Sequence, residues 1–159
     1  MKKAVFPGSF DPFTRGHLDV LQSSLRVFDK VIVAVGYNVS KSGLFTVEER
    51  LSIIGESVAG MENVEIQSYT GLTIDFCNKT GAEFIIRGIR STTDFDFEQV
   101  IAQANAKMSP NIQTVFIPSS AEFSFITSTV VRDVLLNGGD AQMFLVKGVD
   151  VASRLKNRG

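Results

Sequence analysis

The 159-residue sequence has one cysteine, Cys77, and one histidine, His17. A single cysteine excludes an intrachain disulfide, and no paired cysteines or histidines supply a metal-binding pattern. Cys77 therefore reads as a small apolar residue of a core-facing helix, in keeping with a reducing compartment. Net charge is almost absent too: 16 Lys and Arg stand against 17 Asp and Glu. No broad basic field exists to gather nucleic acid or an anionic membrane, so any anion must be held by a local site. Long apolar runs are missing, and the cleanest, Val31-Ile32-Val33-Ala34-Val35, has the length of a strand and not of a membrane span. Lys2 and Lys3 imitate the start of a signal peptide, but Pro7 and Gly8 end the apolar segment too early. The expectation is a soluble, unprocessed, cytoplasmic protein with no nucleic-acid or membrane partner. The motifs G-x-x-x-x-G-K-[ST], G-x-G-x-x-G and G-x-S-x-G are all absent, which disfavours a P-loop enzyme, a dinucleotide dehydrogenase and a serine hydrolase.

What is present is a core. Hydrophobic residues make up 44% of the chain, with 13 Phe, enough for one domain over residues 1–159. Strand-like and helix-like segments alternate. An apolar run through Lys3-Ala4-Val5-Phe6 precedes a helical stripe of Leu18, Leu21, Leu25 and Phe28; 31–35 has the pattern of a strand buried on both faces. Thr46-Val47-Glu48-Glu49 is a capping box opening a helix through Leu51, Ile54 and Val58. A third strand is expected over 63–68 and a third helix over 71–80, closed by Gly81. Glu83-Phe84-Ile85-Ile86 is a fourth strand. A long helix follows over 92–108, with Phe97, Ile101 and Ala104 near a 3.6-residue period. A strand at 114–117 and a helix at 130–136, closed by Gly138-Gly139, complete the series, with short helices from about 140 to Arg154-Leu155-Lys156-Asn157-Arg158. Five strand–helix repeats predict an α/β fold: a doubly wound, five-stranded parallel sheet of Rossmann-like type.

In such sheets the ligand lies beyond the carboxyl ends of the strands, near the reversal of strand order. Four segments should meet there: Ser9 to His17, the loop with Lys41, Arg87-Gly88-Ile89-Arg90, and Phe123 to Thr129. The first crosses from strand to helix with Thr14 at the N-cap position, so its backbone N–H groups and the helix dipole form an anion site. Arg87 and Arg90 are a second anion candidate, although either could pair with Asp94 or Asp96. Hydroxyls of Thr127, Ser128 and Thr129 open another helix. The collection is rich in anion donors and poor in nucleophiles, which suits phosphoryl or nucleotidyl transfer by positioning and electrostatic stabilisation.

These residues also carry a resemblance. Gly8-Ser9-Phe10-Asp11-Pro12 followed by Thr14-Arg15-Gly16-His17 resembles the T/H-x-G-H motif of the nucleotidyltransferase superfamily. With Ile86-Arg87-Gly88-Ile89-Arg90, Asp94-Phe95-Asp96-Phe97-Glu98, Phe123-Ser124-Phe125-Ile126-Thr127-Ser128-Thr129 and the Lys41 loop, the chain is similar over nearly its whole length to the bacterial phosphopantetheine adenylyltransferases. The resemblance implies a magnesium-dependent transfer of AMP from ATP to 4′-phosphopantetheine, giving dephospho-coenzyme A and pyrophosphate. It implies catalytic roles for His17, Lys41, Ser9 and Arg90. ATP would be held by Ser9, Phe10, His17, Gly88, Ile89, Arg90, Glu98 and the stretch Phe123, Ser124, Phe125, Ile126, Thr127, Ser128 and Thr129. The acceptor would meet Ser9, Lys41, Leu72, Thr73 and Arg87. Mg2+ would be held mainly by ATP phosphates and water, with no protein ligand assigned. A homohexamer and feedback inhibition by coenzyme A are implied as well. Where relatives commonly show threonine, a serine run and Trp or Tyr, this chain has Ser9, Thr127-Ser128-Thr129 and Phe123, so hydroxyl and aromatic character persist. Two rivals predict different behaviour. A sister nucleotidyltransferase would use another acceptor, and an ATP-binding module of the universal-stress type would bind without turnover.

Overall fold

A computed structural model describes residues 1–156. Strands β1 (Lys3–Gly8), β2 (Lys30–Gly36), β3 (Val64–Tyr69), β4 (Phe84–Ile89) and β5 (Gln113–Pro118) form one sheet in the order β3-β2-β1-β4-β5. Every neighbouring pair is parallel. Helices α1 (Arg15–Ser24), α2 (Val47–Ser57), α3 (Thr73–Thr80), α4 (Thr92–Met108) and α5 (Ser128–Leu136) follow the strands in turn, and a 3-10 turn at Gln142–Phe144 precedes α6 (Ala152–Lys156). This is the expected doubly wound α/β arrangement. Asn157 and Arg158, placed by the sequence reading in a terminal helix, lie outside the described residues.

The continuous apolar runs of the central strands follow from burial on both faces. Ala4, Phe6, Val31, Val33, Val35 and Ile86 pack against Leu21, Phe28, Ile53, Ile54 and Val131 on one face. The alternate residues Val5, Ile32, Ala34 and Ile85 pack against Ile74, Phe76, Cys77 and Ile112 on the other. Each fully buried side chain of this kind contributes about 1.5–3 kcal/mol. Cys77 is a core residue of α3, as its isolation in the sequence suggested, and burial pushes its thiol up to about 11.

Several boundaries differ from the expectation for local reasons. Helix α1 ends at Ser24 with Leu25 as its C-cap, so the stripe through Leu25 and Phe28 outlasts the helix, although Phe28 stays buried. Gly71 takes a left-handed φ of 84° in the turn ahead of α3, which therefore starts at Thr73. Helix α5 starts at Ser128, two residues earlier than the sequence suggested, because Thr127 accepts the Val130 N–H. The largest correction concerns α4. Its bounds match the sequence reading, but its periodic apolar residues do not face the core: Phe97 is 69% exposed, Val100 61%, and Ile101 and Ala104 are exposed too. The buried residue of α4 is Glu98. Periodicity locates an apolar face without saying what covers it.

Strand order reverses between β1 and β4, and the two strands diverge there. β1 pairs with β2 along its whole length, from Lys3↔Lys30 to Gly8↔Val35. Its pairing with β4 is confined to Ala4↔Phe84 and Val5↔Ile85. Pro7, which has no N–H to donate, lies in the part of β1 that does not pair with β4. Its carbonyl accepts instead from Arg87 Nη1 at 2.9 Å, so a side chain bridges the split. A crevice opens at the carboxyl ends of these two strands.

Candidate active site

His17 is placed by a helix cap. Thr14, the N-cap of α1, accepts the His17 N–H on its hydroxyl, and His17 Nδ1 accepts the Thr14 N–H at 2.9 Å. This reciprocal pair is a capping box in which histidine stands where Glu or Gln is usual. Because Nδ1 accepts, the ring proton sits on Nε2, and Nε2–H remains to be donated into the crevice. The ring rests edge-on to Phe10, centroids 4.9 Å apart, and beside Phe13 at 5.3 Å. Burial first, then the Arg90 and Arg87 guanidiniums, push the His17 pKa down to about 3. His17 is thus a neutral donor throughout the physiological range and a poor base.

The floor of the site is a strained turn. Phe10 has φ 46°, a left-handed value that costs a non-glycine residue about 1–2 kcal/mol. The turn sends its ring under the crevice, where it is 2% exposed and leaves only main chain to face a ligand. A methyl group on Gly8 would come within 3.0 Å of that ring, so glycine is needed for the close approach.

The crevice between β1 and β4, a cavity of about 310 Å³, is lined by Ser9, Phe10, His17, Arg87, Gly88, Arg90, Glu98, Phe123, Ile126, Thr127, Ser128 and Thr129 among others. The amino ends of α1 and α5 both open into it, so two helix dipoles favour negative charge there. The hydroxyl of Ser128 donates to Pro12 O, and that of Thr129 accepts from Arg132. Arg87 forks onto Glu98 through Nε and Nη2 at 2.9 and 2.6 Å. With the Pro7 bond, three of its five N–H donors are used and two remain for a ligand. Arg90 is fixed through its N–H and Nε to Asp94. The acidic partners are therefore Asp94 for Arg90 and Glu98 for Arg87.

Two further cavities adjoin the first, and Ser9 lines all three. One, at the end of β2, carries Lys41; the other, between β2, β3 and β4, carries Thr73, Tyr69 and Arg87. Not all the residues named from the sequence reach these walls. Ile89, Ser124, Phe125 and Leu72 line none of the three cavities. Ser124 instead donates to Ala121 O, and Phe125 stands exposed with its ring edge-on to Phe144. Asp94, read from the sequence only as a candidate arginine partner, lines the first cavity, and the structure adds residues the sequence reading passed over: Arg50 in the second cavity, and Tyr37, Asn38 and Tyr69 in the third. Arg50 leaves one sequence signal, a charge four residues before Ile54 on the apolar stripe of α2.

No helix among the described residues is long and apolar enough to cross a membrane. The cytidylyltransferase-like family model matches residues 5–134. Among solved structures, a bifunctional NMN adenylyltransferase/ADP ribose pyrophosphatase from Francisella tularensis aligns with a TM-score of 0.73 at 19% identity, covering 98% of this chain and 49% of that one. A protein from Vibrio parahaemolyticus, described as a candidate nicotinate-nucleotide adenylyltransferase, aligns with a TM-score of 0.73 at 22% identity, covering 99% of this chain and all of that one. At these identities the likeness is one of fold. Sequence relatives are nearer. The phosphopantetheine adenylyltransferase of Flavobacterium psychrophilum is 46% identical over 151 residues, covering 95% of this chain and 99% of that protein. Its counterparts in Christiangramia forsetii and Staphylococcus haemolyticus are 47% and 42% identical over 149 and 154 residues, covering 94% and 97% of this chain and 97% and 96% of those proteins. Likeness of this extent over nearly the whole chain makes it a member of the cytidylyltransferase-like family and, within it, of the phosphopantetheine adenylyltransferases.

Proposed function

We propose that the crevice at the β1–β4 split transfers the adenylyl group of ATP to 4′-phosphopantetheine. An oxygen of the acceptor's phosphate bonds to the α-phosphorus, the bond from that phosphorus to the bridging oxygen breaks, and pyrophosphate leaves with the electron pair. Dephospho-coenzyme A is the other product, as expected in coenzyme A synthesis. The attacking phosphate is already ionised near neutral pH, so no side chain need remove a proton. The observation that carries this reading is His17: a ring held neutral, with Nε2–H as its one donor, in the field of the Arg90 and Arg87 guanidiniums that line the same crevice. Such a group stabilises charge developing on the α-phosphate and would serve badly as a base.

Ser9 orients both reacting phosphates, a role supported by its sharing of the three cavities, with Lys41 on the acceptor side and Arg90 on the ATP side. Gly88, Glu98 and the α5 start bind ATP, while Arg87 and Thr73 take the acceptor. Magnesium fits this site as an ion carried by its substrate. Asp94 and Glu98 are both engaged by arginines, and the described residues contain no cluster of three His, Cys, Asp or Glu side chains. Mg2+ keeps several waters and binds readily through phosphates; its chemistry here is neutralisation of triphosphate charge. Coenzyme A contains the whole skeleton of the product, which supports competition for the same crevice. The exposed apolar face of α4, with Phe97, Val100 and Ile101, supports assembly of copies into a homohexamer. The buried free thiol of Cys77 is in keeping with the cytoplasm.

Pyrophosphate release from ATP and magnesium, measured with and without 4′-phosphopantetheine, tests the reaction. Acceptor-dependent turnover should fall about 100- to 1,000-fold in His17→Ala, as for loss of one transition-state donor. Turnover with nicotinate mononucleotide and none with phosphopantetheine would overturn the assignment.

A further inference from the structure

Lys41 sits on the loop between β2 and α2, and its ammonium has no bonded partner among the described residues. What fixes the loop is at its far end. Asp11 Oδ2 accepts the Leu44 N–H at 2.8 Å, and Oδ1 accepts the Phe45 N–H at 2.9 Å. Arg50, on α2, donates from Nε to Phe45 O at 2.9 Å and from Nη1 to Ser9 O at 3.3 Å. The two charged groups meet, with Arg50 Nε 3.5 Å from Asp11 Oδ1, and each residue is only 6% exposed. Arg132 of α5 donates to Asp11 O at 2.9 Å. One buried ion pair thus ties together the segment that presents Ser9 and the segment that presents Lys41.

The loop's own sequence makes room for this tie. Gly43 has an ordinary φ, yet a methyl group there would fall on the Arg50 guanidinium and 2.6 Å from Asp11 Oδ2. The glycine is needed for the close packing of main chain over a charged pair. A buried ion pair is seldom a gain in stability over apolar residues of the same volume, and its best-attested use is to specify one arrangement. Here the arrangement specified is the distance between two site segments far apart in the chain.

We propose that Asp11, Gly43 and Arg50 form a clamp that sets Lys41 against Ser9, and so act as positioning residues for the reacting phosphates. This rests on the roles given above to Lys41 and Ser9. Asp11, Gly43 and Arg50 line the cavity that carries Lys41, but the charged groups of the pair are spent on each other and on the main chain of Ser9, Leu44 and Phe45, so the clamp acts by placing these segments.

The test uses the full chain with Arg50→Lys and Gly43→Ala, each alone and combined with Lys41→Met, in two measurements. The first is kcat/KM for pyrophosphate release. Each clamp variant should lower it by about 100-fold when Lys41 is present, the loss expected from roughly 1 Å of misplacement. In the Lys41→Met background the loss caused by the same variants should shrink to about tenfold or less, since the spacing they set no longer has an ammonium at one end and only the placement of Ser9 remains. The second is hydrogen exchange of the free protein: amides of the loop, Leu44 and Phe45 included, should exchange faster while those of β2 and α2 keep their protection. Equal losses in both backgrounds overturn the proposal, as does unchanged loop exchange. If Gly43→Ala loses protection throughout the sheet, Arg50→Lys decides alone. A Lys41→Met chain as fast as the native one overturns the reading of Lys41 and the clamp's catalytic part with it. A native chain inactive on phosphopantetheine overturns the proposed reaction, and loop exchange then judges the tie by itself.

Discussion

Acidification from about pH 7.5 to pH 5 tests the state of His17 directly, because no other histidine exists to share the transition. In the unfolded chain its imidazole titrates near the ordinary 6.5, whereas in the fold it is held down to about 3. The unfolded state therefore takes up a proton that the folded state refuses. Stability is full above about pH 6.5 and declines as pH falls toward 3. At pH 5 the difference from neutrality is about 1.4 kcal/mol for each of the 1.5 pH steps below 6.5, or about 2 kcal/mol. This figure depends on the unfolded value alone as long as the folded group titrates below about pH 4. Urea unfolding of the native chain and of His17→Gln isolates the effect, since glutamine can keep the capping bond without titrating. The native chain should lose about 2 kcal/mol more than the variant between the two pH values. In parallel, the ring signals of His17 should remain at their neutral positions down to pH 5. Parallel stability curves, or a ring signal with its midpoint near 6.5, would refute the argument that His17 is a permanently neutral donor.

Three other perturbations have definite outcomes. Gly88→Ala places a methyl group 2.9 Å from Cγ2 of Val20, a buried residue of α1; overpacking of this kind should cost about 1–3 kcal/mol, read as a lowered Tm in calorimetry. Glu98→Gln removes the charge that holds the Arg87 fork; urea unfolding should show a loss of about 1–3 kcal/mol, and an unchanged midpoint would mean the pair is idle. Phe97→Asp puts a charge on the exposed apolar face of α4; sedimentation should show smaller species, with the secondary structure seen by circular dichroism unchanged.

The order of elements was legible because each carries its own local evidence. The β-branched run at 31–35, the Thr46–Glu49 box and the unbroken stretch that became α4 depend on neighbours within a few positions. The site was legible in part for the same reason: every segment brought to the crevice follows a strand, and parallel topology sends all such segments to one edge. What escaped the sequence was pairing across distance. Nothing local couples Asp11 to Arg50, or makes Glu98 the partner of Arg87 in place of the nearer Asp94. The covered side of α4 was hidden likewise, since a stripe of Phe97, Ile101 and Ala104 has the same period whether a sheet or another chain lies against it. The role of His17 as a cap lay in plain view at the i,i+3 spacing from Thr14, but histidine is not the residue that spacing usually brings to mind.

Through the donor role proposed for His17, that cap ties turnover to the fraying of a helix. The imidazole is in place only while the first turn of α1 is closed, so the share of molecules able to react at any instant equals the share with that turn formed. Opening of a helix end is a fast local equilibrium, separate from global unfolding. A change that weakens the cap by about 1 kcal/mol multiplies the open population roughly fivefold. Warming, mild denaturant or a substitution at Thr14 could therefore idle the enzyme well before the sheet beneath it melts.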